Sequence, residues 1–492
     1  MDKSKIQDGM MEQGGSSLSW KRVLRLILGP ILGGSFLVFF PSLSGDVIPA
    51  RMVGIAIWML VWWITECVPL AVTALLPIIL IPASGVAPIG EVGASYGNPL
   101  VFLFLGGFLL ALGIEKWQLH RRIAVNIISW TGTRPFRILL GFAIATALLS
   151  MWISNTATAV MMLPIATSVV ALVESKAGER PKFAMTLFLV LAWAANIGGM
   201  MTLIGTPPNL ILAGFSDDNG LQPITFSMWM MIGFPIGLMI LAGTIGILAL
   251  RSDFHFPVRE EDLSRLFEME KADLGSLKGG EKRVLWVFAL TALAWILRKQ
   301  IVDLTGWEAL TDTTIALISG ISLFIIPSGQ DGHGVLQWKD TERLPWGILV
   351  LFGGGLALAF GLDRSGVLDI LEEFLKTLPG FTPFGYILLA TAMGVYLTEF
   401  LSNMALTAAL LPVILAISTA VDIEFLALAI PLTLGSSCAF MFPMATPPNA
   451  VVFSSQRLTV AKMAGAGFWV NLWATAGISL GVWLLYSNGL LS

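Results

Sequence analysis

The segment LFLGGFLLALGIEK at residues 103–116 recurs as LFGGGLALAFGLDR at residues 351–364. Seven of the 14 aligned residues are identical, and each copy ends in an acidic residue followed by a basic one. The offset between the two copies is 248 residues, close to half of the 492-residue chain. A self-similarity of this kind indicates two copies of one structural unit.

Further matches keep the same register. Ser154-Asn155 pairs with Ser402-Asn403 at the offset of 248, and GTPPN at 205–209 pairs with ATPPN at 445–449 at an offset of 240. Because one match could arise by chance but several in order are not expected to, we predict a duplicated half.

The composition indicates a membrane protein. Hydrophobic residues make up 56% of the chain and charged residues only 12%, and the mean hydropathy is +0.81. Soluble domains contain about 25% charged residues, so a soluble enzyme, a disordered protein and a nucleic-acid partner are excluded. Cys67 and Cys438 lie in apolar stretches, and the three histidines lie in polar connections. Neither a disulfide framework nor an intramembrane haem or histidine-metal site is expected, and no organic cofactor is predicted.

We predict an all-α polytopic membrane protein with about 11 transmembrane helices, since a span needs about 20 apolar residues. The candidate spans are 23–44, 51–68, 70–88, 98–115, 183–213, 225–250, 284–301, 311–327, 346–362, 425–453 and 463–486. Two further apolar blocks, 136–174 and 383–420, are each broken by a central polar triplet. Hydropathy alone allows each block to be either two spans or one re-entrant hairpin.

The two halves are expected to be inverted in the membrane. Five spans separate the matched points if the broken blocks are hairpins, and seven if each block is two spans. Both numbers are odd, so both options give opposite orientations. Inverted repeats with broken helices are a recurring design of secondary transporters.

The charged segment 251–283, with 15 of the 61 charged residues, divides the chain. We predict a cytoplasmic tail at 1–22, a first half at 23–250, a cytoplasmic loop at 251–283 and a second half at 284–492. Lysine and arginine are frequent before the first span and absent from the last seven residues. The positive-inside rule therefore predicts an N-terminus in the cytoplasm and a C-terminus outside. No organelle-targeting signal is evident, which favours a cell inner membrane.

The four polar breaks suit ion binding. Ser154 and Ser402 are good helix N-caps, so a helix beginning after each would direct free N–H groups at a ligand. The residue before proline is forced out of the helical region, so each apolar stretch should unwind at Gly205-Thr206 and at Ala445-Thr446 and then restart, which gives broken helices at 205–209 and 445–449. Unwound backbone at membrane depth survives where it lines a cavity, and its carbonyls suit Na⁺.

The positions of the basic residues predict coupling to a cation. No Lys, Arg or His occurs in 138–175, 183–250 or 377–456, which contain all four breaks. A multiply charged anion there would meet no cationic side chain, and desolvating it alone is costly. A bound cation beside each break would supply the missing charge. Glu66 and Glu399 are acids within or at the edge of apolar segments, suited either to structural hydrogen bonds or to a place near a cation site.

The chain resembles the divalent anion/sodium symporter family, which transports dicarboxylates, citrate or sulfate. SSCAFMFPMATPPNAVV at 436–452 fits that family's sodium:sulfate symporter signature throughout. WWITECVPLAVTALLP at 62–77 and LFGGGLALAFGLDRSG at 351–366 are also similar to family segments. The resemblance covers nearly the whole chain apart from the N-terminal tail and the charged loop.

The resemblance implies re-entrant hairpins at 136–174 and 383–420, a homodimer and an elevator-type motion. It implies one Na⁺ site at Ser150, Ser154, Asn155 and Gly205, and another at Thr398, Ser402, Asn403 and Ala445. It implies substrate contacts at Asn155, Thr156, Thr206, Pro207, Asn403, Thr446 and Pro447, together with position 404. That position is Met404, where the family pattern has threonine, so one hydroxyl contact to a carboxylate is lost.

The leading hypothesis is a Na⁺-coupled symporter for small di- or tricarboxylates such as succinate, malate or fumarate. A sulfate or other inorganic anion symporter of the same family is the nearest alternative. A Na⁺-independent exchanger is disfavoured because the broken segments contain no basic side chain. An intramembrane enzyme lacks a nucleophile–base pair or an acid dyad, and a passive channel would gain little from paired broken segments.

Overall fold

The computed structural model describes residues 20–43, 45–254, 260–329, 332–377 and 380–491, and these ranges contain helices and turns but no β-sheet. The first 19 residues of the predicted tail at 1–22 lie outside the described residues. The helices of the first half are α1 Trp20–Phe39, α2 Val47–Thr65, α3 Leu70–Thr73, α4 Leu76–Ser84, α5 Ile89–Ala94, α6 Pro99–Lys116, α7 Leu119–Thr131, α8 Pro135–Ser150, α9 Asn155–Ala177, α10 Pro181–Met201, α11 Pro207–Asp218 and α12 Phe226–Ala249.

The remaining helices follow the charged segment or lie within it. They are α13 Glu260–Leu274, α14 Gly279–Ile296, α15 Arg298–Thr305, α16 Asp312–Ile325, α17 Trp346–Arg364, α18 Val367–Lys376, α19 Pro383–Leu397, α20 Asn403–Val421, α21 Phe425–Ser436, α22 Pro447–Phe453 and α23 Val460–Ser487. Within the segment predicted to be an aqueous loop, α13 is held to neighbouring helices by ion pairs such as Arg121–Glu270 and Lys176–Asp262.

The all-α multi-pass class is confirmed. Among the described residues, nine helices are long and apolar enough to cross a membrane, or up to ten when the bent pair α14–α15 is counted as one span. Four of the predicted spans are divided between two helices: 70–88 into α3 and α4, 183–213 into α10 and α11, 284–301 into α14 and α15, and 425–453 into α21 and α22. The number of about 11 spans and the inverted repeat stay predictions.

Each of the two broken apolar blocks forms a pair of helices that meet at a polar turn. Helix α8 ends at Ser150 and α9 begins at Asn155, while α19 ends at Leu397 and α20 begins at Asn403. Proline at the first turn of α8 and of α19 fixes the start of each pair. Whether the pairs are re-entrant hairpins in the bilayer stays a prediction, as do the domain boundaries.

The two unwound segments end where the prolines begin. Thr206 and Thr446 have extended backbone, with φ of −144° and −141°, and Pro207 and Pro447 start α11 and α22. The halves interlock here, because α22 packs against α9 and α10, and α11 packs against α20. This interlocking brings all four breaks to one place.

Candidate functional site

A cavity of about 620 Å³, here named the central cavity, lies where the two helix-pair tips and the two unwound segments meet. Twelve of the 14 residues predicted to bind substrate or Na⁺ line it. They are Ser154, Asn155, Thr156, Gly205, Thr206, Pro207, Ser402, Asn403, Met404, Ala445, Thr446 and Pro447. The other two, Ser150 and Thr398, are fully buried directly behind the tips. The structure therefore brings the predicted residues together, while the role of each one stays a prediction.

The first tip is organised around Asn155. The Ser150 hydroxyl donates a hydrogen bond of 2.7 Å to Asn155 Oδ1, and Ser154 caps α9 by accepting from the Ala157 N–H at 3.2 Å. Gly199 lies against the same amide, since a Cβ at that position would be 2.4 Å from Asn155 Oδ1. A larger residue at position 199 would displace the amide that faces the cavity.

The second tip repeats this arrangement with different residues. The Thr398 hydroxyl lies 2.7 Å from Asn403 Oδ1 and 2.7 Å from the Ser436 carbonyl oxygen, and can donate to either. Ser402 occupies the N-cap position of α20 without a side-chain capping bond, so its hydroxyl is free of that role. Each tip thus pairs a buried hydroxyl with an asparagine five residues later.

The last residue of each TPPN motif is an asparagine whose side chain donates hydrogen bonds to the backbone of the unwound segment before it. Asn209 Nδ2 donates to the carbonyls of Thr202 at 2.7 Å and Gly199 at 3.3 Å. Asn449 Nδ2 donates to the carbonyls of Phe442 and Ala439, both at 3.0 Å. Because the donor and acceptor spacings of seven and ten residues are the same in both halves, the two unwound segments share one local design. Sequence reasoning singled out the motif but gave its asparagine no role.

Asn196 joins the two halves directly, and sequence reasoning missed it. Its amide nitrogen donates to the Thr446 hydroxyl at 3.0 Å and lies 3.5 Å from the Ala439 carbonyl oxygen. Asn196 lies within the buried helix α10 and lines the central cavity. The sequence signal that could have identified Asn196 is a single amide side chain within an otherwise apolar segment.

Aromatic rings give the cavity an apolar wall. Trp152, beside the first tip, packs on Phe226, Phe288 and Trp295, with ring centroids 4.7–6.4 Å apart. At the corresponding position of the second tip, the Phe400 ring lines the cavity and is 72% exposed. The two tips therefore differ in how they meet the rest of the protein.

The central cavity carries acidic groups but no basic ones. Its lining within the described ranges includes Glu66 and Glu399 and contains no Lys, Arg or His. Glu66 is exposed and has a left-handed backbone, with φ of 45°. Hydroxyl, amide and backbone carbonyl oxygens are hard ligands, so the donors at the two tips fit Na⁺ by their chemistry.

Comparison with known proteins agrees with this architecture. A family model described as "Sodium:sulfate symporter transmembrane region" matches residues 19–490. The chain is 41% identical over 477 residues to the sodium-dependent dicarboxylate transporter SdcS of Staphylococcus saprophyticus, covering 94% of this chain and 91% of that protein. It is 38% identical over 465 residues to the protein of the same name from Staphylococcus aureus, covering 92% and 88%.

A solved structure supports the fold. The chain is similar to the crystal structure of the Alcanivorax borkumensis YdaH transporter, described as having an unusual topology, with a TM-score of 0.53. The match covers 81% of this chain and 88% of that one at 13% identity, so it bears on the fold alone. The family and the relatives are transporters, which confirms the predicted class and excludes an enzyme. The chain belongs to the sodium:sulfate symporter family.

Proposed function

We propose that this protein is a secondary active transporter that couples the uptake of small di- or tricarboxylates, such as succinate, malate and fumarate, to Na⁺. The observation that carries the proposal is a single cavity lined by two helix-pair tips and two unwound segments, with no basic side chain in its described lining. An anion in such a cavity needs a cation beside it. The relatives at 38–41% identity are named sodium-dependent dicarboxylate transporters, which supports the same reading.

The co-transported Na⁺ ions are assigned to the two tips. The first site uses Ser150, Ser154, Asn155 and Gly205, and the second uses Thr398, Ser402, Asn403 and Ala445. The hydroxyl–amide pairs Ser150–Asn155 and Thr398–Asn403 place two oxygens 2.7 Å apart in each tip. A cation ligated by both oxygens of a pair would replace the hydrogen bond between them.

The substrate is assigned to the space between the tips. Its carboxylates would contact Asn155, Thr156, Thr206 and Pro207 from the first half and Asn403, Met404, Thr446 and Pro447 from the second. Helices α9 and α20 begin at this cavity, so their N-terminal N–H groups and dipoles favour an anion. Helix α11 also begins there, but its first two residues are prolines without an N–H group, so it contributes only its dipole.

Transport is proposed to follow an elevator-type motion in a homodimer, in a cell inner membrane with the N-terminus in the cytoplasm and the C-terminus outside. Symport of sulfate is the alternative, favoured by Met404, which offers no hydroxyl to a second carboxylate. A Na⁺-independent exchanger is disfavoured because the described cavity lining has no basic group that could stand in for the cation.

The proposal is tested by uptake of radiolabelled succinate into proteoliposomes with and without an inward Na⁺ gradient. Malate, citrate and sulfate serve as competitors. Uptake that requires Na⁺ and is blocked by malate supports the proposal. Na⁺-dependent uptake of sulfate, without uptake of succinate, supports the alternative. Uptake that needs an anion preloaded inside the proteoliposomes but no Na⁺ supports exchange.

A further inference from the structure

Glu399 is a buried carboxylate whose hydrogen bonds all come from uncharged donors. It lies in the second tip next to Thr398 and is 1% exposed. Its Oε1 accepts from the N–H groups of Phe440 at 2.7 Å and Met441 at 2.9 Å, and from Asn471 Nδ2 at 2.8 Å. Its Oε2 accepts from the Phe442 N–H at 3.2 Å. Four donors directed at one carboxyl group match the ionised form, which is an acceptor only.

These hydrogen bonds explain why the second unwound segment is longer than the first. Helix α10 continues to Met201, which corresponds to Met441 at the 240-residue offset, but α21 ends five residues earlier at Ser436. In a continuing helix the N–H groups of residues 440–442 would donate to carbonyls four residues back. The Glu399 carboxylate takes their place as acceptor, so the last turn of α21 can unwind with its N–H groups satisfied.

The Ser436 carbonyl, which is released by this unwinding, accepts a hydrogen bond from Thr398 in the second tip. At the position of the first tip that corresponds to Glu399 stands Met151, whose backbone carbonyl accepts from the Thr202 hydroxyl. The first tip therefore has a neutral side chain where the second has an acid.

We propose that the Glu399 carboxylate makes the two cation sites unequal, because it holds a buried negative charge beside the second site and fixes the unwound segment that completes it. The inference rests on the function proposed above. A fixed charge in a buried position attracts a nearby cation strongly, since little water screens it. The second site accordingly binds Na⁺ at a lower concentration than the first, before any anion is present. Glu399 is a positioning residue, for it acts on the site through its charge and through the backbone that it holds.

The experiment measures ²²Na⁺ binding to the purified full-length protein in the absence of any anion. We expect the wild type to show a tight and a weak component, and Glu399→Gln to weaken the tight one by roughly tenfold. Glu91→Gln is the matched control, because it makes the same change at an exposed residue of α5 that does not line the central cavity; its binding curve should stay within about twofold of the wild type.

A second variant separates charge from scaffolding. Glu399→Asp keeps the charge but shortens the side chain, whereas Glu399→Gln keeps the length and an acceptor oxygen but loses the charge. If the charge sets the affinity, the Asp variant binds Na⁺ more tightly than the Gln variant; the reverse order, or an unchanged Gln variant, overturns the inference. If the Gln variant does not purify as a folded protein, the Na⁺ affinity of the Asp variant is compared with that of the wild type. An affinity within about threefold supports the inference, and a loss of tenfold or more overturns it.

The same measurement distinguishes this inference from the proposed function. A wild-type protein that binds no Na⁺ contradicts Na⁺ coupling itself. Normal wild-type binding with one uniform affinity contradicts only the inequality of the sites. Because no anion is used, the outcome does not depend on whether the substrate is a dicarboxylate or sulfate.

Discussion

Asn196, in a buried helix of the first half, donates a hydrogen bond of 3.0 Å to the hydroxyl of Thr446, in the unwound segment of the second half. This contact orients Thr446, which precedes the proline that restarts the second broken helix. The hydrogen bond between the two halves therefore helps to position a residue that is proposed to bind the substrate.

Replacing Asn196 with alanine should reduce both transport and stability. The Thr446 hydroxyl would lose its donor, and an unmade buried hydrogen bond costs about 1–3 kcal/mol. We expect the succinate KM in proteoliposomes to rise by about tenfold, with a lower melting temperature in detergent. Asn219→Ala is the control, because the Asn219 side-chain amide donates to the Phe215 carbonyl at the end of α11, four residues earlier in the chain. Equal effects of the two changes would show that the Asn196–Thr446 bond does not shape the site.

Asn155→Ala and Asn403→Ala should each abolish Na⁺-dependent uptake while the protein still folds and inserts. Each asparagine supplies the oxygen paired with a buried hydroxyl in its tip. Uptake by reconstituted variants is the measurement, and size-exclusion elution with a wild-type profile is the control for folding. Near-normal uptake by both variants would contradict the proposed site.

Met404→Thr should increase the affinity for short dicarboxylates. Met404 lines the central cavity, and a threonine there would restore a hydroxyl donor worth about 0.5–1.5 kcal/mol, which lowers the succinate KM by roughly twofold to tenfold. Competition by sulfate measured in parallel shows whether selectivity moves with it. An unchanged or higher succinate KM would mean that position 404 makes no carboxylate contact.

Asp218 should make stability depend on pH. Burial raises the pKa of Asp218 to about 6, against a smaller opposing effect of the hydrogen bond that Asn98 Nδ2 donates to its Oδ1. Because the pKa in the folded protein lies above its ordinary value, the stabilisation is complete below the ordinary value and is lost as the pH rises through about 6. The melting temperature should therefore decrease as the pH is raised from about 4.5 to about 7.5.

Asp218→Asn removes that charge and is the direct check. The variant should melt higher than the wild type at about pH 7.5, and the difference should shrink as the pH falls and vanish below 3.8, where the carboxyl is protonated in both the folded and the unfolded wild type. An identical pH dependence in both proteins would show that another group is responsible.

The main features of the fold follow from local rules, and the finer contacts do not. The breaks at Thr206 and Thr446 were predictable because proline restricts the residue before it wherever it occurs. The ends of α8 and α19 were predictable from Ser154 and Ser402 as polar residues within apolar blocks. These signals depend only on neighbours in the chain.

The contacts within the site depend on tertiary packing, so the sequence could not provide them. Asn196 meets Thr446 across 250 residues, and nothing near either residue indicates the other. The early end of α21 could not be predicted either. It depends on a carboxylate about 40 residues earlier in the chain, which accepts hydrogen bonds from N–H groups that would otherwise donate within the helix. Glu399 was noted as an apolar-segment acid, but hydropathy could not say what it bonds.

Helix α10 has one more consequence. From Thr186 to Met201 every side chain is buried by other helices, so this stretch does not touch lipid in the folded protein. Its hydrophobicity is nevertheless that of a membrane span. A helix emerging from the ribosome meets the insertion machinery before its partners have been made, and insertion favours apolar side chains. A helix that is buried on every side is apolar all round because it packs in the protein core, and the same apolarity meets the requirement of insertion, so the residues around Asn196 carry this amide into the membrane.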